Sequence, residues 1–140
     1  MTIRGGREQQ WWSLSLFIVG FAFYAAELVL GNSMSPRTYG YAAYDIAAAT
    51  WAQGFMSASA LVLYGLYING RWPAWSPILR AVGWSMLTAM FAFMAVSAWF
   101  AEDGIHIVIF AVMFFGRRSI TFAIISVAEA RARRNQSGAG

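Results

Sequence analysis

Few residues in this sequence could do chemistry, and Glu27 is the most unusual of them. It is the only formal charge in an apolar stretch that covers residues 11–30. A carboxylate inside a membrane span is costly and usually faces a partner or a water-filled cavity. Glu27 could therefore be a protonatable or cation-binding site. It could equally lie shallow enough to reach water at the outer end of its span, and the sequence leaves both interpretations open.

His106 is the only histidine, and Glu102 and Asp103 closely precede it. Together with Glu27 and Asp45 these carboxylates could form a metal site, but their spacing matches no metal motif. One histidine cannot supply two axial haem ligands, and the absence of cysteine excludes thiolate metal sites. We therefore expect no metal and no cofactor, and we interpret the group as an outer polar rim with a titrating histidine.

Arg117 and Arg118 interrupt the fourth apolar stretch after Gly116. At 1.5 Å per helical residue they lie roughly 20 Å from its outer end, inside the inner leaflet. In one explanation the lipid-exposed helix ends near Phe115, both guanidinium groups reach the inner headgroups, and an amphipathic helix continues there. In the other, the helix crosses straight through and one arginine faces a polar interior or an oligomer interface. A stripe of His106, Met113, Arg117 and Thr121 resembles an interior face.

The composition excludes most soluble classes of protein. Of 140 residues, 59% are apolar and 11% are charged, with 7 Trp, 6 Tyr and 11 Phe and no Cys. Soluble domains carry about a quarter charged residues, and a chain this short could not bury so much apolar surface. A disordered chain, a disulfide scaffold and a water-soluble enzyme are therefore excluded. We expect no enzyme, because no nucleophile, base and orienting group can be aligned.

Four apolar stretches are long enough to cross a bilayer, which takes about 20 residues. They predict helices at about 11–30, 46–68 (or from 36, if Ser35-Pro36 starts the helix), 78–101 and 105–128, followed by a basic tail at 129–140. The sequence thus predicts one all-α domain over residues 1–140, an integral membrane four-helix bundle. The last helix could extend as an amphipathic segment.

Arginine placement predicts the orientation. Nine of the ten basic residues, all of them Arg, fall in the N-terminal tail, the second loop, the inner part of the fourth stretch or the C-terminal tail. Both termini are therefore expected in the cytoplasm, with the protein in the bacterial inner membrane. The first stretch is interpreted as a retained anchor and not as a cleaved signal peptide.

Small and polar residues identify the faces on which membrane helices pack. Ser13, Gly20 and Glu27 recur every seven residues, so they share a face that we expect to be buried. Small residues in the second helix, with Gly54 and Ala58 among them, are expected to pack against a third-helix stripe. That stripe comprises Ala81, Ser85, Thr88, Ala92 and Ala95.

Two resemblances suggest functions. The segment from Ala26 to Val29 around Glu27 looks a little like the small multidrug resistance transporters, which are tiny four-helix proteins with an essential glutamate in helix one. Here, however, the glutamate lies near the span end, and the aromatic and glycine motif of that family's third helix is absent. In overall design the chain also resembles phage holins, which are small, oligomerising inner-membrane proteins with a charged cytoplasmic tail.

Three functional hypotheses follow. The first is a protein that acts by helix association or oligomerisation, in its sharpest form a holin-like permeabilising protein. The second is a proton- or cation-coupled small transporter that uses Glu27. The third is an accessory structural subunit of a larger membrane complex. The expected partners are the lipid bilayer and either further copies of the chain or a larger complex; nucleic acid is not expected.

Overall fold

The structure, a computed structural model, describes residues 5–30, 48–100 and 106–139, without the side chains at 30, 48–49, 97–100 and 106–111. These residues form four helices and no strand. The helices are α1 (Gly6–Leu30), α2 (Ala48–Tyr67), α3 (Ser76–Phe100) and α4 (His106–Gly138). A short 3-10 turn, Ile68–Gly70, follows α2. The described chain is therefore all-helical, and the predicted second-helix start near Pro36 lies outside the described residues.

The fourth helix is longer than the sequence pattern predicts. It runs unbroken for 33 residues through Gly116, Arg117, Arg118 and Ser119, and most of the predicted tail belongs to it. Arginine is a good helix former, and a single glycine costs only about 1 kcal/mol relative to alanine. The sequence at this point interrupts the apolar character of the helix and leaves its helical propensity nearly intact.

Consecutive helices pack against one another, and their directions alternate. α1 contacts α2, α2 contacts α3, and α3 contacts α4. Arg80, near the start of α3, reaches Gln9 at the start of α1 and Glu129 towards the end of α4, and it packs against Gly65 at the end of α2. Two helix starts and two helix ends therefore meet at Arg80, and we call this region the Arg80 end.

The buried core joins α2, α3 and α4, and aromatic side chains from α1 complete it. It comprises Ala58, Val62, Trp84, Leu87, Phe91, Val112 and Phe122. The rings of Trp84 and Phe122 lie 4.8 Å apart, and Trp12 of α1 meets Phe115 edge-on at 5.4 Å. Such pairs contribute about 0.5–1.5 kcal/mol beyond the area that they bury.

Glycine sets how closely neighbouring helices approach. A Cβ at Gly20 in α1 would lie 3.3 Å from the carbonyl oxygen of Ala52 in α2. A Cβ at Gly83 in α3 would lie 2.8 Å from the carbonyl oxygen of Ala58, which is too close for any real side chain. Ala58 thus lies at the contact between the second and third helices, as the sequence predicts. Gly54 lies at the same contact, packed against Met90 of α3.

The residues of α3 that make this contact differ from the expected stripe. Ser85 and Ala92 have exposed side chains, whereas Gly83 and Leu87 face α2 and the core. The expected stripe is turned away from α2 because the larger residues Trp84, Leu87 and Phe91 occupy the core side of α3.

Within the residues that the structure describes, two helices are long and apolar enough to cross a membrane. They cover Gly6–Val29 and Ser76–Val96. Their outward side chains include large apolar groups, among them Ile18, Phe21 and Val29 of α1 and Val82 and Val96 of α3. Such faces are expected of helices whose solvent is hydrocarbon.

We expect Gly83→Ala to lower stability even though alanine is the better helix former by about 1 kcal/mol. The added methyl group would collide with the α2 backbone at Ala58, and backbone cannot yield as a flexible side chain can. Thermal unfolding of the purified protein in detergent measures the effect.

Gly116→Ala is the matched control, because its Cβ would meet Phe91 at an ordinary 3.5 Å. This variant should be unchanged or slightly stabilised. Equal melting temperatures for the two variants would contradict the close α2–α3 contact.

Candidate functional site

Arg80 is the most unusual side chain in the described structure, because its guanidinium group is buried with no exposed surface. Its stem packs against Gly65, where a Cβ would lie only 2.8 Å from Arg80 Cγ. The missing side chain at Gly65 therefore leaves the room that the arginine occupies. A charge removed from water in this way needs an opposite charge and further hydrogen bonds.

Glu129 of α4 supplies the opposite charge. Arg80 Nη2 donates to Glu129 Oε2 over 2.7 Å. Arg80 Nη1 lies 3.4 Å from Gln9 Oε1, and the indole Nε1 of Trp84 donates to the same oxygen over 3.1 Å. The Gln9 side chain is itself fully buried, so α1 is held to α3 by an amide that water does not reach.

Arg133 occupies the second oxygen of Glu129. Its Nη2 donates to Glu129 Oε1, one helical turn away, and to Asn69 Oδ1 over 3.0 Å, while Nη1 donates to the carbonyl oxygen of Pro73. One carboxylate thus lies between two guanidinium groups. We call this set the buried polar cluster: Gln9, Asn69, Arg80, Trp84, Glu129 and Arg133.

The buried polar cluster is suited to holding helices together. Most of its polar atoms contact one another, although the buried Arg80 Nε has no hydrogen-bond partner among the described residues. The cluster contains no hydroxyl or thiol nucleophile beside a base. Within the described part of the chain, no three His, Cys, Asp or Glu side chains come close enough to hold a metal ion. The cluster joins α1, α3, α4 and the turn after α2, so we interpret it as a polar clasp.

The face of α1 that contains Glu27 is buried. Ser13 and Gly20 are buried, and Glu27 is 8% exposed. Ser13 donates to the carbonyl oxygen of Gln9 over 2.7 Å, whereas Glu27 Oε2 has no hydrogen-bond partner among the described residues. The other members of the expected polar rim, Asp45, Glu102, Asp103 and the His106 side chain, lie outside the described residues.

Arg117 and Arg118 are both exposed, so the stripe of Met113, Arg117 and Thr121 is not an interior face of this chain. Arg118 Nη1 forms an ion pair with Glu8 Oε1 at 2.7 Å, with both side chains roughly half exposed, and its guanidinium carbon lies 5.9 Å from the centre of the Trp12 ring. Arg117 forms no ion pair with any described residue.

Arg117 instead borders an open groove between α3 and α4, of about 380 Å³. One wall contains Thr88, Ala92 and Ala95 of α3, and the other contains Met113, Arg117 and Thr121 of α4. The two stripes that resemble interior faces in the sequence thus face each other across this groove. We call it the α3–α4 groove.

The chain matches no family model, no curated protein and no solved structure.

The buried polar cluster is the feature that sequence reasoning missed. The sequence pattern places Arg80 near the start of the third predicted helix and Glu129 at the start of the basic tail. Two signals were present: Glu129 and Arg133 have the i,i+4 spacing of a helical ion pair, and Arg80 lies four residues before Trp84 on the same face of α3. Neither signal shows that the two pairs meet, because that contact spans 49 residues of chain.

We expect Glu129→Gln to destabilise the protein strongly, by on the order of 3 kcal/mol, because it leaves a buried guanidinium without its counter-ion. Thermal or denaturant unfolding in detergent, followed by circular dichroism, measures the loss.

Glu8→Gln is the matched control, since it removes the exposed ion pair with Arg118 by the same substitution. An exposed pair contributes about 0–1 kcal/mol, so this variant should unfold nearly as the parent does. Similar losses in the two variants would contradict the special role of the buried pair.

Proposed function

We propose that this chain is an integral protein of the bacterial inner membrane, with four spans and both termini in the cytoplasm. In this proposal it acts by lateral association in the bilayer and performs no bond-making chemistry. The observation that carries the proposal is the α3–α4 groove, in which small side chains lie on the outward surface. In hydrocarbon such residues permit the close approach of another helix.

The alternating helix directions support four spans. α1 and α3, the two helices apolar enough to cross a membrane, both begin at the Arg80 end. If both cross in the same direction, α2 must cross back between them, and α4 runs opposite to α3. Because α4 ends at the Arg80 end, this topology puts both termini on one side.

The charge distribution supports the orientation. Glu8 and Glu129 are the described carboxylates at the Arg80 end. Six described arginines lie there, at the start of α1, in the turn after α2, at the start of α3 and at the end of α4: Arg7, Arg71, Arg80, Arg131, Arg133 and Arg134. Short loops and span ends rich in arginine stay on the cytoplasmic side. The exposed rings of Trp72 and Trp75 in the same turn suit a headgroup region.

Arg117 further favours a protein partner at the α3–α4 groove. Its guanidinium group has five N–H donors and no ion-pair partner among the described residues. Beside an apolar groove in a membrane, those donors need carbonyl or carboxylate acceptors, which a helix of a second copy can offer through its backbone or side chains. Self-association is thus the form of the proposal that we test, and its sharpest version is holin-like permeabilisation.

Ala92→Leu should reduce self-association, because the larger side chain fills the α3–α4 groove. Ala89→Leu is the matched control, since Ala89 is also an exposed alanine of α3 but does not line the groove. Chemical crosslinking in membranes measures the oligomer fraction, and membrane potential during induced expression measures permeabilisation.

The expected result is that Ala92→Leu loses crosslinked oligomer and the control keeps it. A parent protein that stays monomeric in membranes would overturn self-association. An unchanged potential at high expression would remove the holin-like version. Extraction in a complex with other membrane proteins would favour the accessory-subunit alternative instead.

One observation favours a second candidate, the proton- or cation-coupled transporter. Glu27 is more than nine-tenths buried, and its Oε2 atom has no partner among the described residues. A carboxylate in this setting suits reversible protonation.

Glu27→Gln should abolish proton- or cation-coupled uptake if the transporter hypothesis holds, because the amide cannot release a proton. Uptake into proteoliposomes under an imposed proton gradient measures this, with Glu8→Gln as the exposed control. Transport that survives Glu27→Gln would remove the carboxylate from any mechanism.

A further inference from the structure

A second, larger groove lies at the Arg80 end, between the start of α3 and the end of α4. It has a volume of about 770 Å³, within the range of lipid-sized and drug-sized ligand sites. Its walls are largely apolar and include Ile78, Val82 and Val127. Arg131 and Arg134 border it, and both are exposed. We call it the basic groove.

Arg131 and Arg134 form no ion pair with any described residue. The nearest carboxylate along α4, Glu129, already pairs with Arg80 and Arg133. Two guanidinium groups beside an apolar channel are therefore available to an anion. Arginine binds phosphate oxygens with two parallel hydrogen bonds, which makes phosphate the favoured anion.

We propose that the basic groove binds one anionic phospholipid of the cytoplasmic leaflet. An acyl chain would lie along Ile78, Val82 and Val127, and the headgroup phosphate would meet Arg131 and Arg134. This inference rests on the membrane location and orientation of the proposed function. Basic pockets between membrane helices on the cytoplasmic side are suited to anionic headgroups.

Charge complementarity favours a lipid over a second copy in this groove. Apart from Glu129, the described chain has two carboxylates, Glu8 and Glu27. Glu8 is paired with Arg118, and Glu27 is buried on α1 towards the opposite end. A second copy thus offers no free described carboxylate to Arg131 and Arg134, so it would leave two neighbouring charges without the counter-charge that a headgroup phosphate supplies.

The apolar length of the groove favours a lipid over a free phosphate ion. A free ion would contact only the arginines and leave the apolar walls unfilled. A phospholipid contacts the arginines with its phosphate and fills the apolar walls with an acyl chain. Trp72 and Trp75 of the adjoining turn are exposed, as is typical of tryptophan at the depth of the headgroups.

Native mass spectrometry of the full-length protein in detergent tests the proposal. Phosphatidylglycerol and phosphatidylcholine with identical acyl chains are the probes, and glycerol phosphate is the competitor without a chain. We expect one phosphatidylglycerol to be retained roughly tenfold or more over phosphatidylcholine, the effect of two arginines near an anionic headgroup. Glycerol phosphate at the same concentration should not displace it.

The double variant Arg131→Gln/Arg134→Gln should lose this preference. Arg71→Gln, which removes an exposed arginine of the same end outside the groove, should keep it. Ile78→Ser should weaken retention while leaving both arginines in place. Circular dichroism checks folding, and each arginine is also replaced singly, because neither makes an ion pair whose loss would unfold the chain.

Three results would overturn the inference. If Arg71→Gln loses as much phosphatidylglycerol preference as the double variant, the preference is a diffuse charge effect. If glycerol phosphate displaces the lipid, the groove is a simple anion site. If the protein forms a dimer that excludes lipid, a second copy occupies the groove. The membrane location is tested separately with Ala139→Cys, an exposed position outside the groove in this cysteine-free chain. If its thiol reacts only from the cytoplasmic face and lipid preference is absent, the lipid inference alone fails.

Discussion

The burial of the Arg80 guanidinium is the constraint on which the arrangement of the four helices depends. A buried charge is tolerated only when an opposite charge lies against it, and Glu129 of α4 is that charge here. Gly5, just before α1, lies beside Phe122, so α4 continues past the level where α1 begins in order to supply this charge. The guanidinium group also contacts Gln9 of α1, and the stem of the same side chain packs against Gly65 of α2, so one side chain of α3 contacts the other three helices.

In hydrocarbon, polar contacts and close packing must replace the driving force that buries apolar side chains in water. The described structure separates these two forces along its length. The Arg80 end is held by the buried polar cluster, whereas the remainder is held by the approach of backbones at Gly20 and Gly83 and by the stacked rings of the core. The polar end defines the register of the helices, and the packed remainder determines their separation.

The sequence predicts the helices well, because long apolar stretches leave little alternative. It also predicts that Ser13, Gly20 and Glu27 share a face, since residues seven apart always do so on a helix, and all three are buried. It assigns Ser85 and Ala92 to the wrong surroundings for a physical reason, and it leaves the surroundings of Arg117 open. Small residues occur both where helices touch and where a groove stays open, and only the positions of the large residues Trp84, Leu87 and Phe91 distinguish the two. That information depends on contacts between distant parts of the chain.

The Arg80 end and the α3–α4 groove differ in how their charged side chains are paired. Separating Arg80 from Glu129 would leave a buried charge without its counter-ion, so conformational change is disfavoured at the buried polar cluster. Arg117 is the opposite case, because its charge lies at the surface beside apolar side chains and has no counter-ion among the described residues. In the proposed membrane setting lipid tails cannot accept a hydrogen bond, and the proposed self-association would supply Arg117 with the polar partner that the described residues do not provide.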